Sequence, residues 1–507
     1  MDKDIKNEFI YEGLFSEYLP GNFQVPLKAY TLPLGDKSDF IEPLKFNMSR
    51  FSENKERRMI YIPEITDYFR TIKYMENNNL ITDLINLAKS DVSFSHFVKN
   101  NRIMKHETDY VPTQVTSTRE LDDSVMSNYI ENVAEKLKRA KGAVGVLKLD
   151  ISNFYASIYT HIVPSIKLGY ESLNDNYKKF KANENDSTID KDYIIYKDLD
   201  ENIRKLNCGR TNGILPGTKI SQLIAEALLT KIDEEIKLKG IKYVRYVDDY
   251  EIFIYDENEI EYIQNTMRTI LNKYYLSINQ NKTEYLKFPY YVVYNLNKII
   301  DNKIIDDVSV FDTMELFNDF FEIEKKGIKG AVRFLVKSLK KEVNFEDKEL
   351  YKTYLINVLV NDERSLIKAS ELLLQNKDGF NFSESDKEII KSKLIKNIEN
   401  GNHLESIWLL LLSCKIDNSI IDNVLIERII KSGNDLLIII MLNELEKDLY
   451  KNYISNINMD SLSWLLIYEL FRLDFIPETI INSLFKNNSY FYKKMKYESI
   501  AFYKNNE

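Results

Sequence analysis

The sequence predicts an α+β fold in which a region of mixed helices and strands precedes an all-α region. Residues 46–300 contain short strands of aromatic and β-branched residues between amphipathic helices, whereas residues 301–507 have the pattern of successive helices with short polar breaks. Two adjacent aspartates, Asp248 and Asp249, lie at the bend of a predicted hairpin in the mixed region. We therefore divide the chain into an N-terminal arm (1–45), a mixed domain (46–300) and a C-terminal helical repeat domain (301–507).

Composition favours a multidomain globular protein. The chain has 507 residues, of which 44% are hydrophobic, and a formal net charge of -9. That charge argues against nonspecific coating of nucleic acid, although an acidic total is compatible with a local basic groove. The two cysteines and four histidines are far apart, so we expect no zinc or disulfide framework. We find no secretory signal or membrane-spanning run, and we expect a cytoplasmic protein without membrane contact.

The first 45 residues are predicted to form an irregular arm with short strands, because four prolines interrupt them. Arg58 then stands directly before a short strand that Pro63 closes. A cation fixed beside a strand is suited to bind a triphosphate through two hydrogen bonds, although a surface arginine at such a place is usually only solvated. Helical spacing of apolar residues follows over 65–90 and 120–141.

A buried strand over residues 144–149 delivers Asp150 at its end, where a carboxylate is well placed to bind a metal ion. The chain then turns into a helix. The ring of Tyr155, five positions after Asp150, is expected to project beside the same predicted metal site. An ordinary core aromatic is the alternative interpretation of Tyr155.

A polar insert over residues 171–207 leads into a glycine- and proline-containing loop and a long amphipathic helix. The loop backbone at Pro216 and Gly217 could approach a base or sugar closely, because Gly217 has no side chain. After the hairpin, a helix near residues 257–274 leads to a turn that carries Lys282. Its ammonium could reach a leaving pyrophosphate, and a solvated turn lysine is the alternative.

The hairpin over residues 243–255 carries the central chemical signal. Two adjacent carboxylates at a tight bend repel each other in a low dielectric, and a divalent cation is the simplest compensation. An ordinary Asp-Asp turn is the alternative. Asp150 and the glycine-proline loop both precede the hairpin in the sequence, and their presence favours the metal interpretation.

In this order, the motifs resemble the fingers and palm of reverse transcriptases over about residues 46–288. The matching segments are Arg58 with Ile60, Ile62 and Pro63, then Asp150 with Phe154 and Tyr155, residues 213–221, Tyr246-Val247-Asp248-Asp249, and Asn279 with Lys282-Thr283. Four palm motifs in the correct order are strong evidence for this resemblance.

The resemblance implies phosphoryl transfer assisted by two metal ions. Asp150 and Asp248 would bridge the ions, Asp249 would support them, and the backbone of Ile151 would supply a further ligand. A ligand set made of oxygen suits Mg²⁺ or Mn²⁺ rather than zinc. The resemblance also implies a dNTP site in which Tyr155 is the steric gate against a 2′-hydroxyl, with the residues Arg58, Tyr155, Pro216, Gly217 and Lys282.

The chain departs from the templated reverse transcriptases in two respects, and these indicate which branch of the family it resembles. Leu215-Pro216-Gly217 stands where templated members usually have Pro-Gln-Gly, and proline cannot donate the corresponding hydrogen bond. No thumb or primer-grip hairpin follows Phe288, and helix pairs recur instead near the ~40-residue period of HEAT-like arrays. In both respects the chain resembles the bacterial abortive-infection reverse transcriptases, the AbiK type and its prophage-borne relatives.

That resemblance implies template-independent DNA synthesis primed by a tyrosine hydroxyl of the protein itself. It further implies a homo-oligomer, a covalently attached or bound single-stranded DNA product, and a role in antiphage defence. The sequence does not identify the priming residue; Tyr11, Tyr18, Tyr30 and the tyrosines of the helical domain are candidates.

Two alternatives remain open. A templated RNA-directed DNA polymerase of retron or group II type would be marked by a basic thumb and an intact glutamine. A catalytically idle polymerase fold that serves as a scaffold is the other. The retention of Asp150, Asp248 and Asp249 argues against the scaffold, because converging carboxylates without a cation cost stability.

Overall fold

The computed structural model describes residues 3–49, 57–99, 102–104, 129–291, 296–304, 307–339, 343–454 and 457–505. The first part of the helix predicted over residues 120–141 lies outside these ranges. Within the described ranges, no helix has both the length and the apolar character that a membrane crossing requires.

The N-terminal arm contains helices rather than the short strands that its prolines led us to expect. Helix α1 spans Lys3–Tyr11 and α2 spans Leu27–Tyr30. Ile5, Phe9 and Ile10 lie buried along one side of α1, and this helical spacing outweighs the later prolines, which begin only after the helix has ended. The prediction of short strands in the arm was wrong.

For the two parts of the predicted mixed domain we keep the names fingers and palm, which come from the sequence resemblance. The predicted fingers begin with an antiparallel hairpin of β1 (Leu44–Ser49) and β2 (Arg57–Ile62), in which Met48 lies opposite Arg58. Helices α3 (Ile65–Asn77) and α4 (Leu80–Leu87) follow. The sequence predicted one helix here. The structure breaks it at Asn79, whose φ of 53° is incompatible with a continuous right-handed helix.

The palm is built from strands and helices that alternate along the chain. Its elements are β3 (Val98–Lys99), β4 (Arg102–Ile103), α5 (Tyr129–Arg139), β5 (Gly145–Asp150), α6 (Phe154–Ser157), α7 (Ser165–Leu168), α8 (Tyr170–Ala182), α9 (Lys191–Leu206), α10 (Lys219–Leu238), β6 (Tyr243–Tyr246), β7 (Asp249–Ile254), α11 (Ile260–Lys273) and β8 (Glu284–Lys287).

A four-stranded antiparallel sheet of order β6-β7-β5-β8 forms the centre of the palm. Alternate residues such as Leu147 and Ile252 pack into the main core. On the opposite face, Val146, Val244 and Phe253 form a smaller cluster near the end of α5. Because both faces are buried, the polar chemistry is confined to the end of the sheet where β5 stops and β7 starts.

The described residues between 296 and 497 are almost entirely helical. The elements are α12 (Leu296–Lys303), β9 (Asp307–Val308), α13 (Val310–Lys325), α14 (Ala331–Ser338), β10 (Asn344–Phe345), α15 (Lys348–Asn361), α16 (Leu366–Gln375), α17 (Glu384–Glu399), α18 (His403–Ile416), α19 (Asn423–Lys431), α20 (Asp435–Glu444), α21 (Lys447–Ile454), α22 (Trp464–Arg472), α23 (Glu478–Leu484) and α24 (Ser489–Tyr497).

These helices pack both on their immediate neighbours and on the helix two places along. Helix α16 contacts α15 and α18, and the series continues from α18 to α20 and from α20 to α22. The middle helix α18 is buried almost all round, which is typical of a helix at the centre of a large core.

The helical region packs directly against the fingers and the arm. Helix α18 contacts β1, and Glu405 near its start forms an ion pair with Arg57. The indole of Trp464 donates a hydrogen bond to the carbonyl of Ile62 at 3.2 Å, and that of Trp408 donates to the carbonyl of Tyr18 at 2.9 Å. The fingers hairpin is therefore supported from behind by residues some 350 to 400 positions further along the chain.

Residues 22–24 and 502–504 also pair, and we call this contact the terminal clasp. Phe23 and Tyr503 form an antiparallel bridge, and the amide of Lys504 donates to the carbonyl of Asn22 at 2.9 Å. The amide of Gln24 donates to the carbonyl of Phe502, also at 2.9 Å. The terminal clasp thus holds the arm near its middle.

Candidate active site

Asp150 lies at the end of β5 directly opposite Asp249, the first residue of β7. One oxygen of the Asp150 carboxylate, Oδ2, accepts a hydrogen bond from Asn279 Nδ2 at 3.0 Å and pairs with Lys282 Nζ at 3.0 Å. The backbone amide of Asn279 also donates to the Asp150 carbonyl at 2.8 Å. Asp150 is therefore fixed in both backbone and side chain by the turn that precedes β8.

Asp248 sits in the bend between β6 and β7, next to Asp150. Its carbonyl accepts a hydrogen bond from the amide of Ile151 at 3.3 Å, which joins the two carboxylate-bearing segments. Burial and the nearby charge of Asp150 raise the pKa of Asp248, and the cations of Arg58 and Lys282 partly oppose that shift. The four charged groups therefore share one electrostatic environment.

Asp249 is at the rim of the same site. Partial desolvation at this crowded end of the sheet, together with the charges of Asp248 and Asp150, raises its pKa, although part of the residue stays exposed. Three acidic groups thus repel one another here. Among the described residues, however, no group of three or more histidine, cysteine, aspartate or glutamate side chains is arranged to enclose a metal ion.

The residues present nevertheless fit a divalent cation. Asp150 and Asp248 offer carboxylate oxygens. Ile151 directly follows Asp150, and its backbone amide donates to the Asp248 carbonyl. These hard oxygen donors suit Mg²⁺ or Mn²⁺, which commonly take one or two protein carboxylates and complete their shells with water and substrate phosphates. A fully enclosing protein cage is not needed for such an ion.

Tyr155 stands in the first turn after Asp150, at the start of α6. Its ring is half-buried and meets Phe154 edge-on, with the centroids 5.4 Å apart. Burial and then the charge of Asp248 raise the pKa of the Tyr155 phenol. Its carbonyl accepts a hydrogen bond from Ile214 at 2.9 Å, so the glycine-proline loop holds the backbone that carries the ring.

The loop at Pro216 and Gly217 is bonded to the fingers. The Pro216 carbonyl accepts a hydrogen bond from the amide of Tyr61 at 3.0 Å. Gly217 has a φ of +115°, and a Cβ built there would lie 2.6 Å from Ile60 Cγ2. The close approach that this glycine permits is made by strand β2, whereas we had expected it to serve a base or sugar.

Arg58 and Lys282 both bring positive charge to the carboxylates. Arg58 is exposed on β2, and its charge lowers the pKa of Asp248. Lys282, at the end of a short 3₁₀ turn, is partly exposed and is bonded to Asp150 as described. The structure therefore brings both predicted cations into the electrostatic environment of the site.

The three tyrosines of the arm have different surroundings. The hydroxyl of Tyr11 donates to Gln24 Oε1, and that of Tyr30 donates to Glu76 Oε2 at 3.0 Å. Tyr18 is partly buried, and its phenol is close enough to Tyr155 to raise the pKa of that residue. Tyr18 therefore interacts with a residue of the candidate site.

Sequence reasoning missed a buried polar network behind the hairpin. Arg245 is 1% exposed and forms ion pairs with Glu226 and Asp233 of α10. Ser95 donates to the same Glu226 at 3.2 Å. The sequence did contain a signal for this network. Arg245 lies two positions after Tyr243 in a predicted buried strand, and a buried arginine requires buried anionic partners.

Comparison with known proteins agrees with this geometry. Residues 78–296 match the family model described as reverse transcriptase (RNA-dependent DNA polymerase). The retron Ec48 reverse transcriptase of Escherichia coli is 24% identical over 186 residues, which are 36% of this chain and 41% of that protein. The chain therefore matches less than half the length of this relative.

Among solved structures, the telomerase of Candida albicans in complex with a TWJ fragment of telomeric RNA is similar at a TM-score of 0.30 and 12% identity, over 76% of this chain and 67% of that one. A likeness that loose carries no argument about this protein. From the family match, the retron relative and the order of the motifs, residues 78–296 are a nucleotidyltransferase domain of the reverse-transcriptase type.

Proposed function

We propose that this protein is a DNA polymerase of the reverse-transcriptase type that works without a template and primes synthesis on its own tyrosine hydroxyl. The observation that carries the polymerase assignment is the meeting of Asp150 and Asp248 beside Arg58 and Lys282 in a domain of this type. The proposed setting is antiphage abortive infection, which rests on the sequence resemblance alone.

Two divalent ions, Mg²⁺ or Mn²⁺, would be held by Asp150, Asp248 and the Ile151 backbone, with Asp249 as a supporting charge. When bound, such ions stabilise the attacking and leaving oxygens of an in-line phosphoryl transfer. The chain's own cations would hold the substrate: Arg58 pairs with the triphosphate, and Lys282 releases Asp150 to meet the leaving pyrophosphate.

Tyr155 would set the choice of sugar. Its ring packs edge-on against Phe154, and the Ile214 amide holds the backbone carbonyl of the same residue, so the ring should not easily move away from a bulkier sugar. A 2′-hydroxyl would then meet the ring, and the enzyme would use dNTPs in preference to rNTPs.

Support for untemplated synthesis comes from the loop before α10. Pro216 stands where templated relatives usually have glutamine, and its carbonyl is already bonded to Tyr61; its neighbour Leu215 is 5% exposed. Neither residue offers a side-chain amide to a templating strand.

For the primer we propose Tyr18. Its phenol contributes to the raised pKa of Tyr155, which is a residue of the candidate site. The Tyr18 backbone is anchored by Trp408 of the helical region, which would present the arm to the site.

The C-terminal helices would form a HEAT-like array, because their contacts run between neighbours and between next-but-one helices. Assembly into a homo-oligomer and residence in the cytoplasm remain predictions from the family resemblance.

The test is incorporation of each labelled dNTP by the purified full chain with Mg²⁺ or Mn²⁺ and without primer or template. Products are separated on a denaturing gel before and after protease digestion. We expect label that stays with the protein until digestion, is lost in Asp248→Asn, and is lost in Tyr18→Phe but not in Tyr11→Phe or Tyr30→Phe.

A templated polymerase of retron or group II type is the second candidate, and the 24% identity to a retron reverse transcriptase favours it. Incorporation that appears only after an RNA template and a primer are added would establish this alternative. It would refute both the protein-priming proposal and the argument from Pro216.

A further inference from the structure

The bend of the hairpin that carries Asp248 has a strained backbone. Val247 has a φ of 52°, in the left-handed region. That region is unfavourable for an L-residue, and a β-branched side chain is among the least suited to it. Such a conformation persists only when the surroundings impose it.

Two side chains hold the peptide groups of Val247. Its amide donates to Ser95 Oγ at 2.8 Å, and its carbonyl accepts from Arg245 Nη1 at 3.0 Å. Both bonds come from outside the turn itself. The strained bend is therefore clamped on its donor side and on its acceptor side.

The arginine half of this clamp is itself immobile. Arg245 Nη2 bonds Glu226 Oε1 at 3.0 Å and Asp233 Oδ2 at 2.8 Å, while its Nε bonds Asp233 at 3.1 Å. Helix α10 supplies both carboxylates. All three guanidinium nitrogens thus bond to α10, since Nη1 also donates to Glu226 Oε2 at 3.1 Å, and the second hydrogen of Nη1 serves the Val247 carbonyl.

The serine half is fixed by backbone pairing. The Arg245 amide donates to Val92 at 2.9 Å, and the Phe94 amide donates to the Arg245 carbonyl at 2.8 Å. Residues 92–95 thereby run beside β6 and bring the Ser95 hydroxyl to Val247. The same hydroxyl donates to Glu226 at 3.2 Å, which closes the network.

We propose that Arg245 and Ser95 are positioning residues, which hold Val247 in its left-handed conformation and so present Asp248 beside Asp150. A relaxed bend would rotate the peptide that joins Val247 to Asp248 and carry the carboxylate away from its partner. The inference rests on the proposed polymerase function, because it assigns a role to the bend in that reaction. Neither residue touches the substrate.

Ser95 carries the test, since replacing Arg245 would leave two buried carboxylates unpaired and endanger folding. Ser95→Ala should lower the kcat of dNTP incorporation about tenfold, the equivalent of one hydrogen bond, with little change in KM. Ser95→Thr keeps the hydroxyl and should retain most activity. Val247→Gly should restore much of the lost kcat in the Ser95→Ala background, because glycine adopts a positive φ without strain.

Ser90→Ala is the matched control. Ser90 donates to Asp233 at 3.0 Å, at the end of the network away from the bend, so its loss should leave kcat unchanged. Equal losses of kcat in Ser90→Ala and Ser95→Ala would overturn the proposal, as would a Val247→Gly double variant that recovers nothing.

Hydrogen exchange of the Val247 amide separates this inference from the proposed function. Ser95→Ala should expose that amide to exchange, whereas Ser90→Ala should not. Unchanged exchange in Ser95→Ala would refute the clamp even in an active enzyme. A wild-type chain that incorporates no nucleotide under any condition, yet loses Val247 protection in Ser95→Ala, would instead refute the polymerase function and leave the clamp as a structural fact.

Discussion

Replacing Glu64 by glutamine should remove a large part of the pH dependence of stability between pH 4.5 and about 7. Glu64 caps α3 by accepting from the amides of Thr66 and Asp67, and it also accepts the hydroxyl of Tyr492 from α24. The side chain is buried at the junction of the fingers and the C-terminal helices. Burial, and then the charge of Asp67, raise its pKa from 4.5 to about 7.

The sign follows from proton linkage. Below pH 4.5 the carboxyl is protonated in the folded and the unfolded chain alike, and between 4.5 and about 7 only the folded chain keeps the proton. Unfolding then releases a proton, so the contribution of Glu64 to stability falls as the pH rises through this window. At 1.36 kcal/mol per pKa unit the full loss is about 3 kcal/mol.

The assay is urea unfolding of the wild type and Glu64→Gln at several pH values from 4.5 to 8, followed by the fluorescence of Trp408 and Trp464. Glutamine matches the protonated acid in shape and keeps one acceptor for the helix cap. Relative to the wild type, the variant should therefore gain about 3 kcal/mol between the two ends of the range. Glu446→Gln, at an exposed position, should show no such gain. A difference between wild type and Glu64→Gln that does not change with pH would refute the reasoning.

Three further predictions concern the candidate site. Asp248→Asn should reduce nucleotide incorporation about a thousandfold or more, because metal stabilisation of the reaction is worth several kcal/mol, while circular dichroism and melting temperature show an intact fold. Tyr155→Ala should weaken the preference for dNTP over rNTP about tenfold or more in competition assays, and an unchanged preference would make the ring a core residue only. Gly217→Ala should destabilise the chain by roughly 2–4 kcal/mol in denaturant unfolding, because the new Cβ meets Ile60 at a strained φ; Gly240→Ala, with a φ of +72° and open space around it, should cost only about 1 kcal/mol.

The palm was the part most accessible to sequence reasoning. The predicted strand that delivers Asp150 ends at that residue in the structure, and the two strands around Asp248 are displaced from their predicted bounds by only a residue. Local patterns sufficed because period-two burial and the acidic bend both lie within short windows.

Contacts between distant segments were not accessible in the same way. Helix α1 was missed although Phe9 packs on Phe97 and accepts the hydroxyl of Tyr68 through its carbonyl, since nothing local to the arm names those partners. The docking of α18 on β1 joins residues more than 350 positions apart, and hydrophobic periodicity carries no information on which faces meet.

The terminal clasp constrains the order in which the molecule can be completed. Residues 22–24 leave the ribosome long before residues 502–504, and at about 5–20 residues per second the interval is roughly 25 to 95 s. During that time the arm has no clasp partner, and Tyr18 lacks the indole of Trp408 until residue 408 has emerged. Closing so long a loop is a late and entropically costly step of folding. A nascent chain with a finished palm therefore has α1 packed on Phe97 and Tyr68 but still lacks the clasp and the Trp408 contact, and any chemistry that needs a fixed Tyr18 must wait until residue 408 has emerged.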